Sequence, residues 1–170
     1  MWNEDNNSFD LTLYDDPNNG GKFTDRLDAL NIVTSEQQTL SSKDIVHIWV
    51  SNAEQFEGIQ RYSDNNRGFL GFNFALKNDI DASEITDYQA IGGDSEFTGK
   101  FDGRNNRIIG LNVGNDDSTK NGTNNAGIFS SIGEKGVVSN LRVYASNFYG
   151  NDYSGTIAGI NKGTISGITT

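Results

Sequence analysis

The sequence contains no cysteine, and only one proline, one histidine and one methionine among its 170 residues. Without cysteine there is no disulfide framework, no zinc–thiolate site and no thiol nucleophile. The single histidine, His47, lies inside the apolar run Val46-His47-Ile48-Trp49-Val50. It has no second imidazole with which to hold a metal, so it reads as a packing residue. Basic residues are scarce as well: 13 Lys plus Arg face 23 Asp plus Glu, giving a net charge of −10. That balance excludes a nucleic-acid footprint and an anionic membrane surface. No apolar run approaches the ~20 residues of a membrane span, so membrane insertion is not expected. The opening MWNEDNNSFDLTLYDD lacks the basic and apolar regions of a signal peptide. An exported protein would therefore contain this chain as a fragment or a mature form. No G-x-S-x-G, H-E-x-x-H or phosphate loop is present.

What is abundant points the other way. The chain has 20 Gly and 22 Asn, the residues that tolerate left-handed backbone and tight turns. Many turns per residue mean many short strands. With one proline, almost every backbone N–H is free to join a ladder. Hydrophobic residues make up only 34% of the chain, yet aromatics reach 11%, more than a disordered acidic chain would carry. The core is expected to be thin and repetitive.

Along the first fifty residues, Phe9, Leu11 and Leu13 alternate with polar neighbours, and Leu27 to Val33 and Ile45 to Val50 read as strands. Residues 51–62 read as a helix, with Ser51 and Glu54 at capping-box spacing and Ala53, Phe56 and Ile59 on one face. Phe69 to Leu76 returns to strand character, with Phe72, Phe74 and Leu76 on one face.

From residue 97 the chain repeats. Ile108-Ile109-Gly110-Leu111-Asn112-Val113 lines up with Val138-Ser139-Asn140-Leu141-Arg142-Val143 and with Ile165-Ser166-Gly167-Ile168-Thr169-Thr170, at spacings of 30 and then 27 residues. Gly127-Ile128-Phe129-Ser130-Ser131-Ile132 lines up with Gly155-Thr156-Ile157-Ala158-Gly159-Ile160, 28 residues on. A helix-free unit of this size cannot bury its own apolar face, so units must stack. Stacked coils with apolar side chains inside make a β-helix, with small residues such as Gly99, Gly103, Gly110, Gly136 and Gly163 at its corners. The polar stretch from Gly114 to Thr123 should leave the stack as a loop.

The stretch FTGKFDGRNNRIIGLNV resembles the F-x-G-x-F-D-G-x-x-x-x-I-x-x-L-x-V signature of GLUG-type repeats, and NNAGIFSSIGEKGVVSNLRV and YSGTIAGINKGTISGI resemble the units themselves. FALKNDIDAS and VSNAEQFEGIQ are similar to the segments that introduce such blocks, so the resemblance covers residues 48–170. The chain departs from the pattern at Ser130 and Ser131, where the first unit would have Gly. Such blocks occur in filamentous-haemagglutinin-like exoproteins of two-partner secretion and in IgA-specific metallopeptidases outside their catalytic domain. The resemblance implies an all-β chain folded as a right-handed parallel β-helix with one short helix and extra-helical loops. It also implies a secreted or bacterial cell-surface location, a host protein or glycan as partner, and an outer-membrane transporter if two-partner secretion applies. The expected organisation is an N-terminal coil or extra-helical region over 1–47, a helix and leading coil over 48–96, and GLUG-type repeats over 97–170.

For ligand binding, the clustered aromatics Tyr144, Phe148, Tyr149 and Tyr153 are the candidates, able to stack on a glycan or dock a protein if exposed. For a metal, calcium is the one ion with ligands to offer it: Asp79 and Asp81 share a face at i, i+2 spacing, and Asp116 and Asp117 sit in the polar loop. The alternative for Asp79 and Asp81 is that they hold turn amides. Asn6-Asn7-Ser8 and Asn121-Gly122-Thr123 are glycosylation sequons. Asp102 and Gly103 read as a tight corner, the Asp accepting amide hydrogen bonds and the Gly supplying an unusual backbone angle. No other cofactor and no catalytic residue is expected. An adhesive or scaffolding segment is the leading reading. The rivals are a polysaccharide-active β-helix enzyme, which would need converging carboxylates and basic residues, and a non-catalytic accessory domain of a large secreted peptidase.

Overall fold

The computed structural model describes residues 2–3, 8–10, 32–33, 39–40, 47–63, 70–114 and 123–170. Among them the chain is all-β with one helix. A seven-stranded sheet runs in the order β1 (Trp2–Asn3), β2 (Ser8–Asp10), β5 (His47–Val50), β6 (Phe74–Leu76), β8 (Lys100–Asp102), β13 (Val137–Ser139) and β18 (Thr164–Ser166). A three-stranded sheet contains β7 (Ile80–Asp81), β9 (Arg107–Ile109) and β14 (Arg142–Tyr144). Three strand pairs follow: β10 (Asn112–Val113) with β15 (Asn147–Phe148), β11 (Thr123–Ala126) with β16 (Gly150–Ser154), and β12 (Phe129–Ile132) with β17 (Ala158–Asn161). β3 (Ile32–Val33) and β4 (Thr39–Leu40) form a small antiparallel ladder of their own. Among the described residues every other pairing is parallel except β1 with β2.

The parallel registers place like on like. Ile48, Phe74, Phe101, Val138 and Ile165 are successive partners across the large sheet. Ile80, Ile108 and Val143 are partners across the three-stranded sheet. Ile91, Phe129 and Ala158 align through a bridge and the β12–β17 pair. Because side chains alternate between faces, each column is continuous and faces the same way. Phe74, Phe101, Val138, Ile80, Ile108, Val143, Ile91 and Phe129 all belong to one buried cluster. Inside it, Phe97 packs between Phe74 at 6.3 Å and Phe129 at 4.9 Å, ring centre to ring centre, and Phe101 meets Phe129 edge-on at 5.5 Å. Such tilted and edge-on pairs are the favoured aromatic geometries.

The helix α1 (Ala53–Ser63) begins two residues later than its sequence predicts. Asn52 rather than Ser51 is the cap: its Oδ1 accepts from the Gln55 N–H at 2.9 Å, and Gln55 Oε1 in turn accepts from the Ser51 N–H at 2.6 Å. This resembles a capping box displaced by one residue, except that the Gln55 side chain reaches the N–H of Ser51, before the cap, rather than that of Asn52 itself. The expected apolar face holds, since Phe56 and Ile59 are fully buried. Phe56 stacks on Tyr88 at 5.3 Å and meets Phe101 edge-on at 6.4 Å. The helix contacts β7, the outermost strand of the three-stranded sheet, and so lies over that end of the core.

Several expectations are corrected. Among the described residues, the strand expected over Phe69 to Leu76 covers Phe74–Leu76, all three of which are buried. The 30-residue alignment of Ile108 with Val138 fails: Ile108 pairs with Val143, and Val138 pairs with Phe101. The I-x-x-L-x-V pattern recurs on two different faces, because every face uses the same in–out alternation. The 27-residue alignment of Val138 with Ile165 is correct, while Phe129 pairs with Ala158 and not with Ile157. Ala126 still pairs with Ser154, 28 residues on, so the slip of one enters between that pair and Phe129–Ala158. At the Asp102 corner, the left-handed backbone falls on Arg104 (φ 50°) and Asn105 (φ 62°), not on Gly103. Gly103 is required for closeness: a Cβ there would lie 2.5 Å from the Asn140 carbonyl and 2.6 Å from Leu141 Cα. The Asp behaves as expected, its Oδ1 accepting from the Arg104 N–H at 2.9 Å and from Asn140 Nδ2 at 3.1 Å.

Candidate functional site

The four aromatic candidates do not act as one patch. Tyr144, Tyr149 and Tyr153 are exposed, at 40%, 39% and 57%. Phe148 is the register partner of the buried Val113 and packs against the core. The three tyrosines follow one another along β14, the β15–β16 junction and β16. Opposite that junction, Tyr149 alone separates β15 from β16, whereas the neighbouring chain leaves at Gly114 and returns at Thr123. The polar loop therefore departs beside Tyr149. Asp116, Asp117 and Asn121 within it lie outside the described residues, as does Asn6.

Asp79 and Asp81 serve different partners. Asp79 Oδ1 accepts from the Arg107 N–H at 2.7 Å, and its Oδ2 accepts from Arg107 Nε at 2.9 Å and Nη2 at 2.6 Å. Asp81 Oδ1 accepts from the Ser83 hydroxyl at 2.6 Å and the Ser83 N–H at 3.1 Å. The Arg107 guanidinium and backbone N–H hold the Asp79 carboxyl below its usual range, and the Ser83 hydroxyl and N–H do the same for Asp81. Asp79 thus ties two segments together, whereas Asp81 bonds only within its own turn. Among the described residues no group of three or more His, Cys, Asp or Glu side chains gathers where a metal ion could sit.

A concavity that the sequence did not foreshadow lies among the described residues. A cleft of about 330 Å³ opens between the later turns of α1, the bend at residues 89–94 and β11–β12. Its walls carry the side chains of Gln60, Gln89, Asp94, Asn124, Asn125 and Ser130, with Ala90 and Gly93 between them. The bend is clamped from four sides. Tyr88, fully buried beneath it, donates its hydroxyl to the Ile128 carbonyl at 2.9 Å. Burial, with Glu57 nearby, pushes that hydroxyl well above its usual pKa, so it stays a donor. Ile91 bridges to Phe129. Gln60, only 4% exposed, accepts the Gly92 N–H at 2.7 Å. Ser130, equally buried, donates to the Gly93 carbonyl at 2.8 Å. Gly92 has φ +111°, and a Cβ there would meet Ser130 Oγ at 2.7 Å, so only glycine fits the turn. On the other wall, Asn125 is the register partner of the exposed Tyr153.

Gln60 Oε1 and the Ser130 hydroxyl are spent on the bend, so among the described residues the lining presents the carboxamides of Gln89, Asn124 and Asn125 and the carboxylate of Asp94. That set donates and accepts hydrogen bonds. The lining residues come from three separate segments and share no spacing; the only local signal is the Asn124-Asn125 doublet, indistinguishable from the many corner asparagines.

The chain is similar to Halomucin of Haloquadratum walsbyi. The two are 31% identical over 116 residues, which is 62% of this chain and 1% of that protein. The chain thus spans about a hundredth of this relative's length. No family model matches the chain, and no solved structure does. Among the described residues no helix is long and apolar enough to cross a membrane.

Proposed function

We propose that this chain is one segment of a very long secreted or cell-surface protein, folded as a right-handed parallel β-helix of the GLUG type. In this reading it serves as a rigid adhesive element that recognises a host protein or glycan. The observation that carries the fold is the set of in-register apolar columns, chiefly Phe74–Phe101–Val138–Ile165. Parallel strands joined in this way cross over with a right hand in nearly all known cases. Similarity to 1% of Halomucin supports a place within a long chain. The GLUG-like signatures and the acidic surface support export, through an outer-membrane transporter if two-partner secretion applies. Among the described residues the cleft carries one carboxylate, Asp94, where glycoside hydrolysis uses a pair, which supports the binding reading.

The location is tested by labelling intact cells of the encoding organism with antibodies raised against this chain, followed by protease shaving. Labelling of intact cells that shaving removes is expected. A signal that appears only after lysis would overturn the reading.

A further inference from the structure

The cleft's chemistry is more selective than that reading requires. The carboxamides of Gln89, Asn124 and Asn125 meet on about 330 Å³ beside Gln60, whose Oε1 is taken by the Gly92 N–H. A carboxamide both donates and accepts hydrogen bonds, and although Gln89 Nε2 already donates to Asp87 Oδ1, the set is the complement of a ligand made of hydroxyl groups. Asp94 adds a charged acceptor, and among the described residues no Lys or Arg lines the cleft. An anionic ligand would meet an uncompensated carboxylate in a chain of net charge −10. A divalent cation would find a single carboxylate where such ions take several hard oxygen ligands. An apolar ligand would strand the amides unsatisfied. The volume lies at the small end of small-molecule sites, about 300–1,000 Å³, which suits one or two sugar rings.

Position adds a second argument. The bend that forms one wall is fixed before any ligand arrives, by Gln60 on Gly92, Ser130 on Gly93 and Tyr88 on Ile128. Binding therefore orders little new backbone. Partners in a parallel ladder present their side chains to the same face, so Tyr153 stands beside Asn125 at the cleft's edge. Its ring is 57% exposed and offers an apolar face for the C–H side of a sugar.

We propose that the cleft bounded by Gln60, Gln89, Asp94 and Asn124–Asn125, with Tyr153 at its rim, is a binding site for a neutral saccharide of one or two rings. This deepens the adhesive reading and rests on it. The test is calorimetry and saturation-transfer NMR on the whole chain, with glucose, galactose, N-acetylglucosamine and glucuronate as probes. At least one neutral sugar should bind with a Kd of roughly 1 mM, and glucuronate should not bind. Gln89 and Asn124 are both exposed, so the double variant Gln89→Ala/Asn124→Ala should keep its melting temperature and lose about tenfold in affinity. Tyr153→Ala should lose about threefold, and Tyr144→Ala should lose nothing. If the double variant proves misfolded, Asn124→Ala alone takes its place, with the same direction of loss.

The inference is overturned if no neutral sugar binds at about 50 mM, if glucuronate binds as well as they do, or if the Gln89 and Asn124 variants bind like the parent. Those results, obtained for a chain whose antibodies label intact cells, remove the saccharide site and leave the surface reading standing. Sugar binding by a chain found only inside cells would do the reverse.

Discussion

Asp79 grips Arg107 with both carboxylate oxygens from the adjoining strand, closing a side-chain fork and a backbone hydrogen bond at once. Arg107 is also the register partner of Arg142, whose charge acts on the Asp79 carboxylate as well. The hydrogen bonds from Arg107 hold the folded-state pKa of Asp79 below its ordinary value of 3.8. A group held low in the folded state adds stability above its unfolded pKa and loses it as pH falls through the folded one. Asp79→Asn should therefore melt below the parent at neutral pH, by about 1–2 °C for so exposed a pair. The gap should close in acid, below the ordinary carboxylate range. Thermal melts of both proteins across pH check this; a gap that does not change with pH would contradict it.

The aromatic interior gives a larger effect. Phe129 is fully buried and touches both Phe97 and Phe101. Phe129→Ala should cost about 3–5 kcal/mol, as truncations of this kind do in cores that cannot collapse. Urea unfolding measures it, and a loss under about 1 kcal/mol would mean that the column is not packed as described.

At Gly92 both the left-handed φ and the 2.7 Å approach to Ser130 Oγ oppose any side chain. Gly92→Ala should lose about 1–3 kcal/mol of stability and disturb the cleft. Gly71→Ala, whose Cβ would meet nothing closer than 3.6 Å, is the control expected to be near neutral. Equal effects at the two positions would contradict the assignment.

The helix cap is tested at Asn52, whose Oδ1 holds the Gln55 N–H. Asn52→Ala should cost about 1 kcal/mol, and Ser51→Ala much less. The opposite order would restore Ser51 as the cap.

How far the sequence could be read follows from what its pattern encodes. Alternating apolar residues, abundant Asn and Gly and the absence of long helical periodicity announced an all-β chain with one helix, and the apolar face of α1 was legible from Ala53, Phe56 and Ile59. Register was less legible. Ile108-x-x-Leu111-x-Val113 and Val138-x-x-Leu141-x-Val143 look alike because each face repeats the same inside–outside code, yet they belong to different faces. The 27-residue match of Val138 with Ile165 holds because the corner that follows each has the same form, with left-handed backbone at Asn140 and at Gly167. The exposed tyrosines were visible in the sequence, but Phe148 was grouped with them on proximity alone. The cleft was not visible at all. Gln60, Gln89 and Asn124 meet only through the fold, and in a chain with 22 asparagines a functional Asn carries no distinguishing mark.

The most direct test of the account is binding of the purified chain to arrays of glycans and host proteins, with calcium and with a chelator. Asp79 and Asp81 are engaged by protein donors, so the account predicts a specific hit among neutral glycans that persists in chelator and weakens on Tyr153→Ala. A blank array in both conditions would contradict it.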